Sequence, residues 1–197
     1  FSSTPGEKET DPAVTSQEDR QTLGFRVSGK LPWYMDTDTE VGYQFGGLNS
    51  KSISAYFGAT ELGVKPPDWF WSPRFYAGFD YASGDADSSD NTVGTFNQYF
   101  PLAHAYYGYA DMLGRQNAMD ARLGVAFKPL NNLTVKLDGH SFLRASTQDA
   151  IYNVAGALFK ADGTSDNAYI GSEFDLTAAY KLDDHLSFTA GYSVFMP

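Results

Sequence analysis

One hairpin in this chain restricts its fold more than any other stretch. Its turn is Lys128-Pro129-Leu130-Asn131-Asn132. Before the turn, Ala121, Leu123, Val125 and Phe127 alternate with Asp120, Arg122, Gly124, Ala126 and Lys128. After it, Leu133, Val135 and Leu137 alternate with Thr134, Lys136, Asp138 and His140. Successive side chains of a strand point to opposite faces, so one face of this pair is oily and the other ionic. A soluble sandwich buries the oily face. A transmembrane barrel turns it to lipid and keeps the charges in a wet lumen.

The same period of two predicts eight strands. The first covers about 21–31, with Leu23, Phe25 and Val27 on one face, and the second about 38–47, with Val41, Tyr43 and Phe45. The third covers about 52–64, where Ile53, Ala55 and Phe57 are expected to face outward, opposite Ser54, Tyr56 and Gly58. The fourth covers about 73–83, with Phe75, Ala77, Phe79 and Tyr81 outward, and the turn pair supplies the fifth and sixth. The seventh (about 168–181) carries Ile170, Phe174, Leu176, Ala178 and Tyr180 on one face. The eighth (about 186–196) has Leu186, Phe188, Ala190, Tyr192 and Val194 outward. Residues 1–19 are polar and acidic and read as an arm or extracellular loop; 20–197 read as the strand region. Long loops fall at about 84–116 and 147–167, whereas 128–132 and 182–185 are tight turns. Strands of about ten residues with long loops gathered at one rim fit an antiparallel up-and-down transmembrane β-barrel.

Composition narrows the function. Aromatic residues make up 16% of the 197, with 15 Phe and 13 Tyr, the kind of supply that interfacial girdles draw on. There is no Cys, which removes disulfides, thiolate metal sites and thiol catalysis. A net charge of −10 argues against nucleic-acid binding, which needs clustered Lys and Arg. No stretch reaches the ~18 apolar residues of a membrane helix. The chain starts at Phe1 and stops at Met196-Pro197 directly after an apolar strand, so it is expected to be the C-terminal portion of a longer protein.

Strand phase places Arg26, Lys30, Arg74, Arg122, Lys128, Lys136 and Arg144 on the polar face, with Glu40, Asp80, Asp120, Asp138, Glu173, Asp175 and His140. That is seven of the 14 basic residues against six of the 24 acidic ones, a basic share that suits an anionic or sugar-like solute. The competing explanation is that these charges pair across strands and stiffen the wall. Gly24, Gly42, Gly58, Gly78, Gly124 and Gly191 share the polar face and predict a lumen wider than that of a filled eight-stranded barrel. Asp138 and His140 lack a nucleophile or a third metal ligand, and Asp85, Asp87 and Asp90 lack the Gly and distal Glu of an EF-hand. Phosphate-loop, nucleophile-elbow and metalloprotease motifs are absent, so neither enzyme chemistry nor a cofactor is predicted.

Three strings carry a family resemblance: Phe79-Asp80-Tyr81-Ala82-Ser83-Gly84-Asp85, then Gly94-Thr95-Phe96-Asn97-Gln98-Tyr99-Phe100-Pro101 with Tyr106-Tyr107-Gly108-Tyr109-Ala110-Asp111, then Asp138-Gly139-His140-Ser141-Phe142 followed by Gly171-Ser172-Glu173-Phe174-Asp175-Leu176-Thr177. From about Arg74 to Phe195 the chain resembles the alginate export family of Gram-negative outer-membrane β-barrels. The resemblance implies a barrel of about eighteen strands, of which this chain supplies about eight, in the bacterial outer membrane. It implies a porin-like channel passing a hydrophilic, anionic or polysaccharide solute, with membrane lipid around it and an envelope protein as a possible partner. The expected lumen residues are Arg26, Arg74, Asp80, Asp120, Arg122, Lys136, Asp138, His140, Arg144, Glu173 and Asp175. A structural subunit of an envelope complex, a non-conducting structural or adhesion barrel, and a soluble carbohydrate-binding sandwich are the rival readings.

Overall fold

A computed structural model of the chain describes residues 17–102, 106–160 and 166–197. Its strands are β1 (Glu18–Leu31), β2 (Met35–Leu48), β3 (Lys51–Val64), β4 (Arg74–Ala82), β5 (Thr92–Val93), β6 (Ala118–Leu130), β7 (Leu133–Leu143), β8 (Ile151–Tyr152), β9 (Leu158–Lys160), β10 (Tyr169–Lys181) and β11 (Ser187–Met196). The eight long ones pair in the order β1-β2-β3-β4-β6-β7-β10-β11, each antiparallel to its neighbours. Short β5 adds in parallel to β3, and β8 and β9 form a separate ribbon. The sheet is open between β1 and β11 within this chain. The eight predicted strands all exist. β1 starts at Glu18, inside the stretch read as an arm, and residues 1–16 of that arm lie outside the described residues.

The predicted hairpin closes with Leu130 opposite Leu133. The ladder slips between Phe127 and Leu130, where Pro129 has no N–H to offer. The long connections 83–117 and 144–168 leave the sheet at one end, together with the tight turn at 49–50, and the connections at 32–34, 65–73, 131–132 and 182–186 lie at the other.

The outer face is apolar and exposed. Leu23, Phe25 and Leu123 keep 73%, 68% and 70% of their surface open, which water would penalise and lipid would not. Two aromatic belts border it. Trp33, Tyr34, Trp69, Phe70 and Trp71 stand at the turn end, with Trp71 stacked on Phe127 at 5.5 Å. Tyr43, Phe45, Tyr56 and Tyr81 stand toward the loop end, with Tyr56 stacked on Tyr81 at 5.6 Å. Roughly ten residues separate the belts on β2. At ~3.3 Å per residue and a tilt of about 40° they span ~25 Å, the height of a barrel's apolar band. The threonines in this band hide their hydroxyls: Thr39 and Thr60 share a 2.8 Å hydrogen bond, and Thr37 donates to the Glu61 carbonyl.

One strand departs from its expected phase. In β3 it is Ile53, Ala55 and Phe57 that are buried on the inner face, while Tyr56, Leu62 and Val64 face out. Tyr43 pairs with Tyr56 and Gly42 with Phe57, which ties β3's facing to that of β2. Near the loop end the inner face is dry. Leu48, Ile53 and Val93 form one apolar cluster, and Phe57 meets Phe96 at 4.8 Å in another. Gly58 therefore lies outside, against Val41. Three of the inner glycines are seats rather than free space, whereas Gly24 and Gly78 have room for a Cβ. A Cβ at Gly42 would strike the Phe57 ring, one at Gly124 the Tyr76 ring, and one at Gly191 the Tyr109 ring.

Candidate functional site

The concave face carries bands of charge stacked from the turn end to the loop end. Nearest the turns, Arg74 of β4 forks onto Asp36 of β2 (2.5 and 3.0 Å) and reaches Glu61 of β3 at 2.7 Å. Arg122 of β6 closes on the second oxygen of Glu61. The resulting Asp36–Arg74–Glu61–Arg122 chain crosses four strands and is neutral. Gly63 makes room for it, because a Cβ there would collide with the Arg74 guanidinium. Beside the chain, Arg26 forks onto Asp38 at 2.8 and 2.5 Å.

Tyr76 anchors the next band. Its hydroxyl donates to Asp138 at 2.5 Å, and the charged ends of Arg74, Arg122 and Lys136 lie 4.9, 5.8 and 5.7 Å from its ring centre. Lys136 is 3.6 Å from Asp138 and half exposed, so this pair is loose. The third band holds Asp80, Asp120, His140, Asp175 and Glu173, all less than a tenth exposed. His140 Nδ1 is 2.8 Å from Asp120, and its Nε2 is 3.8 Å from Asp175. Asp120 Oδ1, Asp175 Oδ1 and Glu173 Oε2 are buried without a hydrogen-bond partner among the described residues.

Part of the loop between β4 and β6 folds inward and docks on that third band. The Tyr107 hydroxyl donates to Asp80 at 3.0 Å, and Arg115 pairs with the same carboxylate. The Tyr109 N–H donates to Asp175 at 2.9 Å and the Ala110 N–H to Glu173 at 2.8 Å. Gly108 between them has φ +82°, and a Cβ there would run into the Glu173 carboxylate, so glycine is required twice over. At the loop's base, buried Asp149 accepts the Asp85 N–H, the Thr95 hydroxyl, the Ala150 N–H and the Tyr152 hydroxyl. Asn117 bonds Ser146 and Ala150 from the opposite side. The two long loops are thereby clasped into one unit over the wall.

Ten of the eleven expected lumen residues share this concave face: Arg26, Arg74, Asp80, Asp120, Arg122, Lys136, Asp138, His140, Glu173 and Asp175. Arg144 stands apart. It follows the end of β7 and is buried at 4%, with its guanidinium donating to the carbonyls of Thr147, Asp149 and Asn167. Sequence reasoning missed Asp36, Asp38, Glu61, Tyr76, Tyr107 and Arg115. Asp36 and Asp38 share the phase of Glu40 and were legible there. Glu61 was hidden by the inverted phase of β3, while Tyr107 and Arg115 come from a loop that carries no period.

Between these bands lies a cleft of about 190 Å³, reaching Arg26, Glu40, Glu61, Tyr106, Asp120 and Lys136. A second, of about 130 Å³, lies toward β10 and reaches Tyr109, His140 and Asp175. No helix among the described residues is long and apolar enough to cross a membrane, which says nothing against crossing with strands.

An antiparallel wall that is apolar outside, rimmed by aromatics, and ionic within defines an outer-membrane, porin-type β-barrel protein. The alginate export family model matches residues 2–197, and the chain belongs to that family, a family of transport proteins. The match takes in residues 2–73, beyond the strings that first suggested it. A comparison with curated proteins returns no match.

Proposed function

We propose that this chain forms part of the wall of a larger outer-membrane barrel that conducts a hydrophilic solute along its charged concave face. The observation that carries the reading is the layered ionic network on the face away from lipid, with open clefts between its bands. Buried ion pairs give little net stability compared with an apolar core. A wall that keeps so many of them facing inward fits contact with water and a polar solute. The bacterial outer membrane is the matching location, with lipid packed against the exposed Leu, Phe and Val of the outer face. The docked loop would narrow the passage, and the two long loops would lie at the outer mouth.

The rival reading as a non-conducting structural barrel is less well supported. An eight-stranded barrel closes on itself and fills its interior with side chains. Here β1 and β11 do not meet, and clefts remain beside the docked loop. Single-channel recording of the full-length protein in planar bilayers tests the reading: discrete conductance steps are expected, and a protein that inserts without opening any conductance would refute it.

A further inference from the structure

Resting on the channel reading above, we propose that the docked loop offers a sugar-binding track, on which Tyr106 and Tyr109 stack the ring faces of a pyranose chain. The clefts of about 190 and 130 Å³ share Tyr106, Arg122 and Lys136 as lining residues. Side chains common to both openings stand between them, so a solute moving from one cleft to the next crosses these three. Tyr106 is 43% exposed, although the Arg115 guanidinium covers one side of it at 5.2 Å from the ring centre. The rest of the ring is open to the clefts. Tyr109, on the same docked loop, lines the smaller cleft together with Thr177 and Thr189. Its ring lies against Gly191 of β11, where a Cβ would collide with it, so glycine lets this ring sit close to the wall.

The two cations shared by the clefts are paired, but not equally firmly. Arg122 is closed on Glu61. Asp138 gives one oxygen to the Tyr76 hydroxyl and faces the Lys136 ammonium with the other at 3.6 Å, beyond hydrogen-bond distance. With its side chain 46% exposed, Lys136 is able to turn to a passing hydroxyl without breaking a strong pair. A small ion has no use for the two rings, and an apolar solute has none for the charged and hydroxyl groups around them. A pyranose matches the mixture. The C–H bonds on its faces meet the apolar faces of the tyrosines, and the hydroxyls of its rim meet Lys136, Thr177 and Thr189. Aromatic surface beside a few placed polar groups is how binding sites fix an amphipathic ring.

The test records the full-length protein in planar bilayers and measures how long single sugar molecules interrupt the current. Maltohexaose is the neutral probe and hexagalacturonate the acidic one, so the two arms separate the charge of the sugar from its ring faces. Polyethylene glycol of similar mass, which has no ring faces, is the control. Interruptions by at least one of the two sugars are expected. Tyr106→Ala should shorten them about five- to tenfold, the effect of losing roughly 50 Å² of apolar contact, and Tyr106→Phe should leave them unchanged. Interruptions by polyethylene glycol should not respond to Tyr106→Ala. Should Tyr106→Ala fail to fold, Tyr106→Gln, which keeps the reach without an apolar face, decides the matter. No interruption by either sugar, interruptions of unchanged length without the Tyr106 ring, or an equal shortening with polyethylene glycol overturns the inference and leaves the channel reading standing. A protein with no conductance at all overturns both.

Discussion

Replacing Leu123 with arginine tests the inside-out wall directly. Leu123 sits near the middle of β6, 70% exposed, with Ala77 and Gly139 as its cross-strand neighbours. Those neighbours are small and apolar, so they give a guanidinium at this position no acceptor. At the midplane of a bilayer such a charge costs about 2–4 kcal/mol, and near the interface about 0–1 kcal/mol. Leu130 lies on the same strand at the turn-end rim and is 56% exposed, which makes it the internal control. Leu123→Arg should therefore reduce the folded-to-unfolded ratio roughly 30- to 700-fold. Leu130→Arg should reduce it by no more than about fivefold. The measurement is urea-driven unfolding of the full-length protein from phospholipid vesicles, followed by heat-modifiable gel mobility. In water an exposed Leu→Arg change stays within about 0.5 kcal/mol at either site. Equal, small costs at both positions would refute the lipid-facing assignment.

The chain's lack of cysteine makes the phase of β3 simple to check. A fluorophore on Tyr56→Cys should be quenched by brominated lipid, and one on Phe57→Cys should not; the opposite result restores the simple alternation. Asp149→Ala removes one acceptor from four buried donors and should loosen the loop unit by about 3 kcal/mol. Limited proteolysis should then cut the loops while the wall keeps its heat-modifiable mobility. Burial, with Asp149 nearby, holds the Asp85 carboxyl above the ordinary carboxylate range. A raised carboxyl favours its protonated form in the fold, so its contribution to stability grows as pH falls from 7 through the raised value and levels off below the ordinary one. Proteolysis of the 84–102 loop should slow on mild acidification, and Asp85→Asn should remove that dependence. Phe57→Ala empties the contact with Phe96 and should cost about 3–5 kcal/mol, read as a lower urea midpoint.

Most of the wall was legible because lipid enforces the period of two on the outer face. Leu23, Phe25 and Val27 in β1, and Leu123, Val125 and Phe127 in β6, have no inner competitor of similar hydrophobicity. β3 defeats the same reading because both of its faces are apolar near the loops: Tyr56 meets the membrane interface while Ile53, Ala55 and Phe57 pack under Val93 and Phe96. Alternation cannot rank two apolar faces, and only the register with β2 does. The charges of the site were visible as residue types, but their pairing was not. Arg74 to Asp36 spans 38 positions and Arg122 to Glu61 spans 61. The docked loop carries no period at all, so strand phase could not place Arg115 or Tyr107, although Tyr107 lies in one of the strings that carry the family resemblance.

The inward fold of the loop onto Asp80, Asp175 and Glu173 bears on how such a channel would meet a membrane voltage. In a bore of even width the potential falls steadily along the whole length, and each wall charge feels a small part of it. Where a loop fills the concave side over part of the height, electrical resistance collects at that level. Moving one charge through 100 mV is worth about 2.3 kcal/mol, comparable to a few hydrogen bonds. The carboxylates that hold Tyr109 and Ala110 sit where that drop would be steepest. Polarity and magnitude of voltage would then act first on the latch, and only weakly on the ion pairs nearer the turns.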